Sequence, residues 1–338
     1  MDNYLSNLPL SVLDPSPIIV GGSPKNSLEN TLDLAQHAEK WGYKRYWLAE
    51  HHNWPGMASS ASPLIIGRVA SVTKKLRIGS GAMLLSNYSP FSIAEQFGTL
   101  ESFFPNRIDL GLGRAPGTDG LTANLIRRRL AGESDFSERL EELSSYLYSS
   151  GTVTSDGNHT FHAIPGEGTK VPLWLLGSGT YSAELAGRLG LPFSFAGHFS
   201  PANMEEALST YRKNFRPSDI LDKPYVMLAV NVIAADTEKE AHRLATSSYQ
   251  KYLLLIRGEA AQLRPPVENM DSLWNSYERK AVEEQLFASL IGDASSVKNQ
   301  LIELLEKTQA DEIMAHTEIF DHQARLRSYE ILANLKNS

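Results

Sequence analysis

The sequence contains no cysteine. That absence excludes disulfide bonds, thiol catalysis, iron–sulfur clusters and cysteine-ligated zinc. It is also consistent with a reducing compartment. An excess of positive charge is missing too: 32 Lys and Arg stand against 39 Asp and Glu, a net charge of −7. Nucleic acid and anionic membranes attract a basic face, so this balance argues against both as partners. No long apolar run is present. The longest, Tyr225 to Ala235, is too short to span a bilayer and is interrupted by Asn231. The start, Met1-Asp2-Asn3-Tyr4, has no basic segment leading into an apolar one. No signal peptide is read there, and a cytoplasmic location is expected.

What is present suits a sizeable core: 338 residues, 42% apolar and 21% charged. Short apolar runs alternate with helical patterns. Strands are predicted at Leu10–Asp14, Arg45–His52, Arg77–Leu85, Ile108–Ala115, Pro172–Gly179, Pro192–His198, Tyr225–Ala235 and Glu312–Phe320. These runs are apolar on both faces, as parallel strands covered by helices are. Between them, Ser27 is placed to cap a helix that Gly42 ends, and Asp135 with Glu138 has capping-box spacing. A further helix reads from Ser182 to Leu189, ended by Gly190, and the last from about His322 to Leu335.

Eight strand–helix units predict a (β/α)8 TIM barrel, with residues 1–338 forming one domain. A doubly wound open sheet shares the same local alternation and is the second architecture compatible with it. Two segments break the rhythm. Gly151 to His162, with Asp156-Gly157, reads as a small hairpin. Arg257 to Phe287, containing Pro265-Pro266, is too long for a plain connection and reads as a lid.

In a barrel, functional groups gather at the C-terminal ends of the strands. The second predicted strand ends in Glu50-His51-His52. Neighbouring strand residues point to opposite faces, so the two histidines are not expected to share a metal, and no metal site is read. His51 is placed either to move a proton near neutral pH or to bond a backbone carbonyl structurally. The run Gly111 to Gly117 has G-x-G-x-x-x-G spacing with Pro116 inside, which is no dinucleotide fingerprint. It is either a tight turn or a close approach to a ligand, with Arg114 on a phosphate. Gly177-Ser178-Gly179 lies between a strand and a helix and suits either a phosphate or an ordinary turn. His159 and His162 read as a polar turn, and Glu240, Glu283 and Glu284 as solvated faces. No Ser–His–Asp set and no G-x-S-x-G elbow is found.

Taken together, Trp47-Leu48-Ala49-Glu50-His51-His52-Asn53, Ile78-Gly79-Ser80-Gly81-Ala82-Met83-Leu84-Leu85, Ala94-Glu95-Gln96-Phe97 and Arg107-Ile108-Asp109-Leu110-Gly111-Leu112-Gly113-Arg114 resemble the bacterial luciferase-like flavin-dependent monooxygenases. The likeness is clearest from Tyr43 to Asp119. It implies a barrel enzyme that uses reduced FMN and molecular oxygen to oxidise a small organic substrate. A separate NAD(P)H-dependent flavin reductase and a homodimer are the accompanying expectations. His51 matches the family's active-site histidine, Gly81-Ala82 its non-proline cis peptide beneath the flavin, and Arg114 its phosphate-contacting arginine. Gly177-Ser178-Gly179 matches the phosphate-binding turn, and His198 falls at the edge of the substrate pocket. Gly113 stands where luciferases proper carry a cysteine, so light emission is not implied. Related barrels use a deazaflavin for hydride transfer, and a flavin-binding protein without turnover is the non-enzymatic alternative.

Overall fold

The computed structural model describes residues 2–127, 135–149, 152–153, 160–259 and 262–337. Eight parallel strands form a ring: β1 (Leu10–Asp14), β2 (Arg45–Leu48), β3 (Arg77–Ser80), β4 (Ile108–Gly113), β5 (Leu173–Gly177), β6 (Phe193–Ala196), β7 (Val226–Ala234) and β8 (Glu312–His316). Each pairs with the next, and β8 pairs with both β7 and β1, with Ala315 opposite Val230 on one side and Val12 on the other. An open sheet would leave two edges, so this closure selects the barrel over the doubly wound alternative.

Side chains alternate along the strands as a period of two demands. Val12, Tyr46, Ile78, Leu110, Leu175, Phe195, Val230 and Ala315 face outward into the large core shared with the helices. Leu13, Trp47, Trp174, Met227, Ala229 and Met314 face inward and pack against one another inside the ring. Two Trp side chains fill so much of that interior that the neighbouring strand can carry little. A Cβ on Gly79 would meet Trp47 Nε1 at 2.8 Å. The inward positions nearest the N-terminal end hold charge: Arg45 donates to Asp109 at 2.6 Å and to Glu312 at 3.0 Å, with Trp174 beneath its guanidinium.

All eight predicted strands are present, the first with the bounds expected and the rest shorter. β2 stops at Leu48, so Glu50-His51-His52 lies in the following loop. The predicted third strand divides into β3 and a two-residue extension, Met83–Leu84, that pairs with β4. The first long helix, Pro24–Lys40, is capped by Ser23, not Ser27; Ser23 accepts from the Asn26 amide, and Pro24 sits at the first helical position. Asp135 and Glu138 form the expected capping box, and the helix Thr180–Leu189 ends at Gly190 with φ of 64°. Thr152–Val153 pairs antiparallel with Thr160–Phe161, as the hairpin requires; Asp156-Gly157 and His159 lie outside the described residues. Within Arg257 to Phe287 the described residues include a helix, Ser276–Leu286, that packs on the long helix Glu238–Ile256 through Val282, Leu286 and Tyr252. No helix among the described residues is long and apolar enough to cross a membrane.

The seam of the ring is held from outside. Asp14 accepts from Arg325 of the last helix, His322–Asn334, at 2.8 Å, from Thr31 at 2.7 Å, and from the Tyr46 hydroxyl. Burial pushes the Asp14 carboxyl toward protonation, but the Arg325 charge and these hydrogen bonds outweigh it and hold the pKa low. Breaking a buried pair on one side costs about 3–5 kcal/mol, because the other charge is stranded. Urea unfolding is expected to show a loss of that size for Asp14→Asn, and partial recovery when Arg325→Met is added. Equal stability of Asp14→Asn and the parent would show that the pair does not hold the seam.

Candidate active site

The C-terminal ends of the strands carry most of the polar groups the mouth contains. In the loop after β2, Glu50 is buried and organises its surroundings. His52 Nε2 lies 2.8 Å from its Oε1, and the Tyr88 hydroxyl donates to the same oxygen at 3.0 Å. His52 is thus tied back to Glu50, while His51 faces Lys251, Glu318 and His316. The two histidines diverge as expected, but through a loop held by Glu50, not through strand alternation.

His51 is half-buried, and its Nδ1 is enclosed with no hydrogen-bond partner among the described residues. Burial lowers its pKa from 6.5 to about 4, and the charges of Lys251 and His316 add to the effect. The imidazole is therefore neutral at pH 7, where an unperturbed histidine would titrate close to neutrality. His198 follows β6. Its Nδ1 is likewise enclosed and unpartnered, and burial with the nearby His316 keeps it well below the ordinary histidine range. His316 closes β8, its ring 4.9 Å from that of His198. Its pKa is lowered to about 4, first by burial, against the opposing charge of Glu318. Lys251 forms an ion pair with Glu318; burial raises that carboxyl's pKa, and the Lys251 charge and hydrogen bond, with His316 and Arg325 nearby, together lower it by more.

On the other side of the mouth the Gly81–Ala82 peptide is cis. It lies against β4, where a Cβ on Gly113 would stand 3.1 Å from that of Ala82. Gly111 is glycine for a packing reason: a Cβ there would collide with the Ser80 carbonyl, and the Ser80 hydroxyl instead bridges the Gly111 backbone at 2.8 and 3.1 Å. Arg114 follows directly, exposed, with its guanidinium 4.3 Å from the centre of the Tyr181 ring. Tyr181 belongs to the first turn of the helix Thr180–Leu189, whose N-cap is Gly179 and which has no side-chain cap. The structure therefore joins two features that are far apart in sequence, Arg114 and the Gly177-Ser178-Gly179 turn, at one helix N-terminus. Uncapped amide N–H groups beside a guanidinium suit a phosphate.

Four residues at the mouth escaped the sequence reading: Asn231, Lys251, His316 and Glu318. Two left a signal. Asn231 interrupts an otherwise apolar run, and His316 falls on the inward face of β8 two residues beyond Met314. His162, read as a polar turn, is exposed and pairs with Glu167 at 2.7 Å. Among the described residues no group of three His, Asp or Glu side chains is arranged to hold a metal ion.

The neutral histidines give the fold an acid sensitivity. Unfolded histidines take up a proton near pH 6.5, whereas His51 and His316 resist until about pH 4. Between those values the unfolded chain binds more protons, so stability falls as pH falls from 6.5 toward 4. The urea midpoint is expected to drop between pH 7 and pH 5. His316→Gln should flatten the slope by up to about 1.4 kcal/mol per pH unit, one proton's worth. A slope unchanged in that variant would contradict the assignment.

Comparison with known proteins agrees with this geometry. The family model described as luciferase-like monooxygenase matches residues 9–312. Protein YvbT of Bacillus subtilis is 54% identical over 99% of this chain and 98% of its own length. A luciferase-like monooxygenase of Escherichia coli is 49% identical over 96% of each. The crystal structure of apo-MsnO8 superposes with a TM-score of 0.83 at 33% identity, covering 97% of this chain and 98% of that one. Two more distant barrels share the fold: the oxygenating constituent of 3,6-diketocamphane monooxygenase from Pseudomonas putida, solved with FMN, and an F420-dependent secondary alcohol dehydrogenase. They cover 97% and 96% of this chain and of each of those chains 97%, at TM-scores of 0.71 and 0.68 and identities of 16% and 14%. By its sequence, and by a closed parallel barrel with histidines and a glycine-rich turn at the C-terminal ends of its strands, the chain belongs to the luciferase-like monooxygenases.

Proposed function

We propose that the protein is a monooxygenase that takes reduced FMN from a separate NAD(P)H-dependent reductase and inserts one oxygen atom into a small organic substrate. The observation that carries this reading is the meeting of Arg114, Tyr181 and the uncapped helix start after Gly179 on the same rim as the cis Gly81–Ala82 peptide. These groups fit a flavin phosphate at one end and a flat ring at the other. The enclosed, unpartnered Nδ1 atoms of His51 and His198 fit a pocket built for a ligand, since buried polar atoms otherwise find partners. Reduced FMN, when bound, supplies two electrons to dioxygen, so that one oxygen atom goes to the substrate and the other leaves as water.

The chain's own residues have defined tasks in this reading. Arg114 and the amides after Gly177 hold the phosphate, and Gly81-Ala82 supports the ring. His51, neutral at pH 7, accepts a proton at a ring nitrogen during oxygen transfer and returns it. His198 forms the wall of the substrate pocket. In the segment read as a lid, Gln285 of the helix Ser276–Leu286 donates to the Phe199 carbonyl, next to His198.

Anaerobic titration with FMN and with deazaflavin, followed by oxygen, tests the proposal. FMN binding with oxygen-dependent substrate oxidation is expected. Preferential deazaflavin binding with oxygen-independent hydride transfer would replace the reading with a dehydrogenase. Arg114→Ala should weaken FMN by about one to two decades, the worth of a charge-assisted contact of about 1.5–3 kcal/mol, and leave riboflavin little changed. Equal losses for both would remove Arg114 from the phosphate. His51→Ala should bind FMN normally and lose about 10²–10⁴-fold in single-turnover product formation. In the parent, the rate should fall with acid through about pH 4, because only the neutral imidazole accepts a proton. An acid limb centred near pH 6.5 would mean that another group moves the proton.

A further inference from the structure

Asn231 stands on β7 opposite His316 of β8. Its Nδ2 reaches the Ser289 hydroxyl at 3.4 Å, and two further contacts fix which way the amide points. The His198 backbone carbonyl can only accept, so Asn231 Nδ2 donates to it, at 3.1 Å. Oδ1 is then the atom 2.8 Å from His316 Nδ1, and Nδ1 carries the hydrogen. A neutral imidazole has a single N–H, which leaves Nε2 of His316 as a bare acceptor. Among the described residues Nε2 has no hydrogen-bond partner; Glu318 Oε1 lies 3.9 Å away and is engaged by Lys251. The Tyr252 hydroxyl donates to the same His198 carbonyl at 3.1 Å, so the backbone beside this acceptor is fixed from two sides.

The charges facing His316 are already matched. Lys251 is paired with Glu318, and Arg325 is locked on Asp14. His51 and His198 are held neutral by burial. A carboxylate entering here would meet a lone pair and a carboxylate already satisfied. A hydroxyl would find an acceptor without disturbing any pair. An ether of the same shape would leave Nε2 unsatisfied, which disfavours it as well.

We propose that the β7–β8 side of the mouth is a subsite for an uncharged, hydrogen-bond-donating group of the substrate, received by Nε2 of His316 beside the His198 ring, with Asn231 positioning the imidazole. This rests on the oxygenase reading only in calling the ligand a substrate. It narrows the substrate class to molecules carrying a hydroxyl or similar donor and excludes a carboxylate at that end.

Histidine-selective 15N NMR tests the proposal. In the parent at pH 7, His316 is expected to show a protonated Nδ1 and a bare Nε2. Asn231→Asp puts a negative charge beside Nδ1 and should raise the protonation midpoint of His316 by about one pH unit or more, which a purely structural Asn231 would not produce. Cyclohexanol, methoxycyclohexane and cyclohexanecarboxylate share a ring and differ in the polar group. Cyclohexanol should displace the His316 Nε2 resonance and bind about tenfold or more tighter than the other two. His316→Phe, checked for a parental unfolding midpoint, should erase that preference. A protonated Nε2 in the parent, a carboxylate bound as tightly as the alcohol, or no response to cyclohexanol up to its solubility would overturn the subsite. FMN titration of the same samples separates the two readings. Protein that binds FMN but fails these tests loses the subsite and keeps the oxygenase reading, whereas protein that passes them without binding FMN does the reverse.

Discussion

Arg45 sits inside the ring of strands between the carboxylates of Asp109 and Glu312, its guanidinium 4.6 Å from the Trp174 ring. Three strands, β2, β4 and β8, are pinned together at that level by charge that cannot reach bulk water. Both carboxylates are fully buried, so each needs its partner: an unpaired ion there would cost several kcal/mol. Arg77 adds a second cation to Asp109 at 2.6 Å, and Lys44 and the Tyr225 hydroxyl reach Glu312. The N-terminal end of the interior is thereby closed with polar groups that satisfy one another. Trp47, Trp174 and Met314 fill the level above it. Only the far end is left for a ligand, which is where the barrel places its loops.

The chemistry at that end differs in kind from the plug below. The plug is ionic and compensated. The mouth is a set of imidazoles that burial keeps uncharged, with one matched ion pair, Lys251 and Glu318, behind them. A nitrogen whose pKa burial has lowered takes up a proton at a cost and returns it readily. The exposed guanidinium of Arg114 lies at the rim on β4's side, apart from the imidazoles. A permanent cation and a set of neutral imidazoles thus occupy two sides of one opening.

Much of this was legible in the sequence. The eight apolar runs became eight strands because burial on both faces leaves few other arrangements for them. The Glu-His-His, Ser-Gly-Ala and Gly-Leu-Gly-Arg motifs fell at strand ends, and the resemblance they carried pointed to the same mouth. The misses share a cause. Ser27 looked like a helix cap because it precedes an apolar periodicity, yet Ser23 takes the position because Pro24 fixes the helix start. Asn231 was passed over as a lone polar residue in an apolar strand, and His316 as the closing residue of a strand that already carries Glu312 at its start. Their importance appears only when β7 and β8 are set side by side. Lys251 and Glu318 come from a helix and a loop 67 residues apart, a distance no local pattern spans.

The Asp14–Arg325 contact joins positions 311 residues apart. During synthesis, Asp14 is made 311 residues before its partner. Until then the nascent chain holds a carboxylate, the edge of β1 and the apolar outer face around Val12 without their cover. The ring cannot close before β8 is made, and an exposed parallel edge invites pairing with other chains. The same bond that secures the finished barrel therefore leaves the unfinished one open while the 311 residues between its two partners are made.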